Sequence, residues 1–389
     1  MKIVVASNLY TPHQSPLSQC LKQKTDEYYF VETVKRDNQN IPIGWRFQEN
    51  MPEFVIPSKC LPRAKQHIDE ADYLIIGSAP DALLRKRHKR CAIVLRYSER
   101  FYKKGCPAWQ IPLRYVKNFF RFGIFKNEFM LCASAYTAAD LAKTGNFLGK
   151  TYKWGYFPKT EQYDAQTLLS RKSKKEQISV MWAGRLIDWK HPELAVWLGS
   201  ELKKAGYQFV LRIIGDGEMK EELLRMISDL HLEDCVHLLG EKTPDQVRKY
   251  MEESNICLVT SDFNEGWGAV VNEAMNSMCA VVASHAIGAV PFLIHDYENG
   301  LIFESGNRKD LLQKVEFLFT HNEMIETLGQ NAYKTIVEQW NAEIAAERFL
   351  KMAEQLKMHG SCDLYEDGPC SRAGLLQNDW YQATGKNLL

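Results

Sequence analysis

The sequence predicts an α/β protein built as two doubly wound parallel sheets facing across a cleft. Three observations predict it. Short runs rich in Val, Ile and Leu alternate with amphipathic segments along the whole chain, which is the signature of repeated strand–helix units. The runs are apolar nearly throughout, as expected of strands covered on both faces. Finally, 389 residues exceed what one ordinary core organises, and a polar, glycine-free stretch at residues 158–177 divides the pattern in two.

Taken in order, "KIVVAS", "YYFVET", "DYLIIGS", "CAIVLRY" and "FMLCAS" read as strands of a first domain, residues 1–157. Residues 158–177 read as the connection. "ISVMWAG", "FVLRIIG", "VHLLG", "ICLVTS" and "AVVAS" read as strands of a second domain, residues 178–340, with helical patterns such as "HPELAVWLGSELKKAG" and "GEMKEELLRMISDL" between them, and Asn299-Gly300 marks a turn ahead of a further short strand in "ENGLIF". Residues 341–389 open on a helical pattern, "IAAERFLKMAEQL", expected to cross back to the first domain, and end in a tail. No fixed-period repeat or low-complexity tract interrupts this order.

Composition excludes some classes. The chain is 45% apolar and 25% charged with a formal net charge of +1, an ordinary globular balance. No stretch approaches the roughly 18 uncharged apolar residues of a membrane span. The start, "MKIVVASNLY", runs straight into a strand and reads as having no signal peptide. Ten cysteines stand singly with no C-x-x-C pair, so zinc-site spacing is absent and no metal is expected. Those in "CAIVL", "FMLCAS" and "NICLVT" read as buried thiols, and a reducing cytoplasm is the expected compartment.

In open α/β sheets ligands bind beyond the carboxyl ends of the strands, so residues just after strands carry the argument. After "ISVMWAG", Arg185 and Lys190 crowd a strand–helix junction that His191 and Pro192 continue. They read either as solvated cations or, with the partial positive charge of a helix start, as phosphate ligands. After "VHLLG", the loop from Glu241 could meet a nucleotide base through its backbone. After "ICLVTS", the stretch "NEGWGAVVNEAM" puts Glu265 in a loop and Glu273 about a turn and a half into a helix. One reading is a solvated turn and an exposed helical Glu. The other is a site in which both carboxylates accept from sugar hydroxyls while the amides of Gly268, Ala269 and Val270 face an anion. In the first domain, His13, Gln14 and Ser15 follow the first strand, ahead of a helix expected near Pro16 whose backbone donors could face the cleft.

At this point the second half resembles the family 4 retaining glycosyltransferases of the GT-B fold, which pair two Rossmann-like domains. "AGRLIDWKHPELAV", "LRIIGDGEMKEEL", "VHLLGE", "EGWGAVVNEAMNSMCAVVASHAIGAVPFLI" and "ENGLIF" occur in that family's order over roughly residues 178–304. The resemblance implies that Arg185 and Lys190 hold the diphosphate of a nucleotide-sugar donor. It implies that Glu265 approaches the transferred sugar and that Glu273 holds the ribose. It also implies retention of anomeric configuration by a front-face route, with no cofactor beyond the donor substrate. Two departures stand in the first half. "SNLYTPHQSPLSQCL" has no glycine where the family has a Gly-Gly loop, and Ser98 and Glu99 occupy the place of a familiar histidine.

The implied activity is transfer of a hexosyl unit from a UDP- or GDP-sugar to a sugar or lipid-linked acceptor, as in bacterial polysaccharide or glycolipid assembly. The rival readings are an idle GT-B subunit that binds a partner enzyme, and another GT-B enzyme such as a nucleotide-sugar epimerase. No Asp-x-Asp pair suggests a bridging metal. From Arg85 to Lys126 there are thirteen Lys or Arg against one acid, Glu99, with aromatics interleaved. That segment reads as a solvated helix face or as a contact with an anionic membrane. No nucleic-acid motif accompanies the charge.

Overall fold

The computed structural model describes residues 1–36, 50–173 and 177–382. It divides into two compact units. The first is Met1–Lys159 with Gln339–Gln377, and the second is Thr160–Glu338 with the residues from Asn378 onward.

The first unit holds β1 (Lys2–Ser7), β2 (Glu27–Glu32), β3 (Val55–Ile56), β4 (Tyr73–Ile76), β5 (Val94–Ser98), β6 (Glu128–Cys132) and β7 (Thr151–Lys153). Their order in the sheet is β3-β2-β1-β4-β5-β6-β7, all parallel. The second unit holds β8 (Ile178–Ala183), β9 (Phe209–Ile214), β10 (Val236–Leu238), β11 (Ile256–Val259), β12 (Ala280–Ser284) and β13 (Leu301–Phe303), in the order β10-β9-β8-β11-β12-β13, again parallel. Both orders reverse once, between β1 and β4 and between β8 and β11. Doubly wound sheets bind ligands at such switch points.

The apolar runs form these strands because helices cover both faces. Val180, Trp182, Leu211, Ile213, Leu258 and Val282 are all buried in one core with Leu198 and Leu202 of the helix Pro192–Lys204. Two strands escape the sequence reading, β3 and β7, which have two and three residues. β3 is a Val-Ile pair cut off by Pro57, and β7 is Thr-Tyr-Lys, so neither shows an apolar run. The segment 158–177 is more than a connection. Ala165–Ser173 is a helix, and the Lys172 ammonium is buried, donating to the carbonyls of Met251 (2.9 Å) and Ser254 (2.5 Å). Residues 174–176 of that segment, and 383–389 of the tail, lie outside the described residues. The helix Ala342–His359 packs on the helix Ser15–Lys24, and Lys24 pairs with Glu343 at 2.6 Å.

Two expectations need correction. Cys132 and Cys257 are buried as expected, but Cys91 is exposed. It sits at φ +51° in the turn that enters β5, ahead of the apolar run and not inside it. The basic segment 85–126 is not uniformly solvated either. Arg87 is fully buried on the carbonyls of Ile68, Ala71 and Ile93. Arg96 pairs with Glu128 and Asp81, Arg100 with Asp140, Lys86 with Asp69 and Arg121 with Asp81. These acids lie outside the counted window and meet it only through tertiary packing.

Candidate active site

The second sheet's switch point carries the densest cluster of charged and open polar groups expected from the sequence. The loop after β8 begins at Gly184 and passes Arg185 to a short turn, Asp188–Lys190, before the helix Pro192–Lys204. Gly215, just after β9, holds the loop's base. A Cβ there would lie 1.8 Å from the Gly184 carbonyl oxygen, so only glycine lets the two loops meet. The loop after β11 runs from Thr260 to Gly268 and opens the helix Ala269–Asn276.

Those two loops are tied together. Thr260 Oγ1 accepts from Trp182 Nε1 at 2.8 Å and lies 2.7 Å from the Lys190 carbonyl oxygen. The Asp262 amide donates to the Trp189 carbonyl at 3.0 Å. On this frame Lys190 Nζ reaches Glu265 Oε2 at 2.6 Å, and Ser261 Oγ donates to the same oxygen at 3.1 Å. Both side chains of the ion pair are about seven-eighths buried. Both donors go to Oε2, and among the described residues none reaches Oε1. Trp189 lies beside both cations, its ring 4.9 Å from Lys190 Nζ and 5.8 Å from the Arg185 guanidinium. Arg185 is exposed, and among the described residues no carboxylate pairs with it.

Gly268 is the N-cap at φ +89°, a conformation that L side chains rarely adopt. No side chain caps this helix, and among the described residues nothing accepts from the amides of Gly268, Ala269 and Val270. Amides without an acceptor at a helix start favour an anion. The loop is rigid because Trp267 is fully buried, its Nε1 donating to Asn272 Oδ1 at 2.8 Å and its carbonyl accepting from the Ala289 amide at 3.0 Å. Glu273 is half-buried on the same helix, and no described residue donates to its carboxylate. The structure therefore brings Lys190 and Glu265 into contact. It places Arg185 in the first of these two loops and the amides and Glu273 on the helix that ends the second. Glu241 is exposed beyond β10, in a loop tied to the one after β9 by Gly215 N donating to Gly240 O at 3.0 Å.

His13, Gln14 and Ser15 lie in the other unit, at its own switch point. The helix begins at Ser15, one residue before the expected Pro16. The Gln14 and Ser15 amides both donate to the Thr11 carbonyl, at 2.9 and 3.2 Å, so these two are closed into a turn. His13 and Gln14 line a cavity of about 450 Å³ with Asn8, Ser98, Glu99 and Tyr156, among others. Glu99 is held there by the Tyr156 hydroxyl at 2.7 Å and by Lys103 at 3.1 Å.

Sequence reasoning missed Ser261, Thr260 and Trp189. Ser261 and Thr260 carried a usable signal, being hydroxyls at the end of a buried strand. Trp189 carried none.

Residues 166–335 match the family described as glycosyl transferases group 1. This segment is similar to group 1 glycosyltransferase domains. The matched segment contains Arg185, Lys190, Glu241, Glu265, Gly268 and Glu273. A poly(ribitol-phosphate) alpha-N-acetylglucosaminyltransferase of Staphylococcus aureus is 29% identical over 43% of this chain and 34% of its own length. An N-acetylgalactosaminyltransferase of Campylobacter jejuni, whose name specifies a diphospho-undecaprenol substrate, is 29% identical over 57% of this chain and 60% of its own. The chain thus spans between a third and three-fifths of these relatives. Among solved structures, Anabaena HepE in complex with UDP superposes with a TM-score of 0.67 at 16% identity, covering 92% of this chain and all of that one. At that identity the likeness establishes the fold, a GT-B pair of Rossmann-like domains.

Proposed function

We propose that the chain is a retaining glycosyltransferase that moves a hexosyl unit from a nucleoside diphosphate sugar, UDP- or GDP-linked, to a hydroxyl of a sugar or lipid-linked acceptor. One observation carries the reading. The Lys190–Glu265 ion pair and the open amides of Gly268, Ala269 and Val270 belong to the loops and helix start at the second sheet's switch point.

The chemistry follows from these groups. Cleavage of the donor leaves negative charge on the diphosphate. Arg185, Lys190 and the three amides offset that charge, and preorganised donors of this kind are each worth roughly 3 kcal/mol of barrier. Glu265, fixed through one oxygen, keeps the other for a hydroxyl of the transferred sugar. Glu273 takes the ribose diol, and the Glu241 loop takes the base. The cavity at His13, Gln14 and Glu99 takes the acceptor. That Anabaena HepE was solved with UDP supports a uridine nucleotide as the first donor to try.

The test is incubation of the purified chain with a panel of UDP-, GDP- and ADP-sugars, with products followed by proton NMR. The reading expects release of one nucleoside diphosphate with a hexose, and an α-anomeric hexoside from an α-linked donor once an acceptor is found. An epimerised sugar would assign an epimerase. No stabilisation by any nucleotide and no turnover would assign a non-catalytic subunit.

A further inference from the structure

Residues 108–123 form one continuous helical segment, with Ile111–Asn118 as its α-helix and Phe119–Gly123 as a π turn closed by Ile124 N donating to Phe119 O at 3.2 Å. One of its faces packs on the unit. Asn118 is buried, its Nδ2 donating to Thr144 Oγ1 at 3.1 Å. Arg114 lies over the Tyr102 ring at 4.5 Å, and Phe122 is buried against the Arg96 guanidinium at 4.6 Å. The opposite face is apolar and open. Trp109, Leu113, Val116, Phe120 and Ile124, spaced by three or four residues, are between 49% and 71% exposed. Seven of the fifteen large apolar side chains exposed among the described residues fall within 109–124. A patch so concentrated marks a binding surface.

Charge says what covers it. From Arg100 to Asn127 there are seven Lys or Arg and no Asp or Glu. Lys117 and Lys126 are exposed beside the stripe. A second copy of this chain would set these cations against their own images. We infer that the face carried by Trp109, Leu113, Val116, Phe120 and Ile124 lies on an anionic lipid surface, the apolar side chains in the acyl boundary and the lysines among the headgroups. The contact is narrower than the whole basic segment, because Arg87, Arg96 and Arg100 are buried and Lys86 is paired with Asp69. Arg121 and Phe122 of the same segment line the 450 Å³ cavity of this unit, so the seated face holds that cavity beside the headgroups.

Flotation of the full chain with phosphatidylcholine vesicles, with and without phosphatidylglycerol, tests this without nucleotide or acceptor. The chain is expected to float with the anionic vesicles at low salt and to be released as salt rises. Lys117→Gln with Lys126→Gln is expected to weaken partitioning roughly 30-fold, from about 1 kcal/mol per cation. Leu113→Ser with Phe120→Ser should abolish flotation with thermal stability unchanged, since both side chains are already exposed. Leu224→Ser, an exposed apolar side chain of the other unit, should leave flotation unchanged. Failure of the wild type to float on anionic lipid, equal flotation on neutral lipid, or full flotation of the Leu113→Ser and Phe120→Ser double variant would overturn the inference.

Discussion

Lys190 Nζ lies 2.6 Å from Glu265 Oε2, joining the loop after β8 to the loop after β11 across the second sheet's switch point. The pair is about seven-eighths buried, so neither charge is well solvated, and each holds the other in position. A diphosphate arriving here would compete with Glu265 for Lys190. That competition gives the two residues opposite expected phenotypes.

Glu265→Gln should lower the transfer rate about a hundredfold or more, because a contact to the reacting sugar is lost. The same change removes the carboxylate that competes for Lys190, so UDP should bind as tightly as before or more tightly. Steady-state kinetics beside calorimetric titration of UDP separate the two effects. Parallel loss of rate and UDP affinity would mean that Glu265 serves only to hold the loop.

Glu273→Ala should raise the apparent donor KM and leave kcat within a few-fold. A ribose contact is the same in ground and transition states, and uniform binding acts on KM. A fall in kcat with KM unchanged would place Glu273 at the reacting centre instead.

Gly268→Ala should destabilise the chain by about 1–3 kcal/mol, the usual cost of a side chain at a left-handed position. The added Cβ would also lie 2.7 Å from Ile287 Cγ2. Urea denaturation gives the stability, and nucleotide affinity should fall with it because the three amides shift. Unchanged stability would show that the loop relaxes freely.

His285, in the loop after β12, predicts a pH effect. Burial holds its imidazole below the usual 6.5. Nδ1 accepts from the Ser305 amide at 2.9 Å, and Nε2 donates to the Asn378 carbonyl at 3.1 Å, which is the neutral form. The Tyr381 ring stacks on it at 5.8 Å. Because the folded value is depressed, the unfolded chain takes up this proton first as pH falls. The stabilising contribution is therefore present above pH 6.5 and is lost as pH drops from there through the folded value. Melting temperature measured from pH 8 to pH 5 should fall more steeply for the wild type than for His285→Gln. Parallel curves would mean that His285 titrates normally.

Much of this fold was legible in the residues. Eleven of the thirteen strands have runs long and apolar enough to read; β3 and β7 do not. At the site, Arg185, Lys190, Glu265 and Gly268 were found because each follows a strand in sequence. What could not be read was which charges meet. Nothing in the sequence pairs Lys190 with Glu265, which are 75 positions apart, and nothing pairs Arg96 with Glu128 or Arg100 with Asp140. For the same reason the segment 85–126 looked more basic than it is, and the exposure of Phe119 and Phe120 could not be told from burial on the sheet.

The central claim is that Lys190 meets the diphosphate of a nucleotide donor. Calorimetric titration of UDP and of UMP into the wild type and into Lys190→Ala tests it most directly. The account predicts that Lys190→Ala weakens UDP by about a hundredfold, as expected for a charge-assisted contact of roughly 3 kcal/mol, while UMP changes several-fold at most. Equal losses for the two nucleotides, or no loss for either, would contradict it.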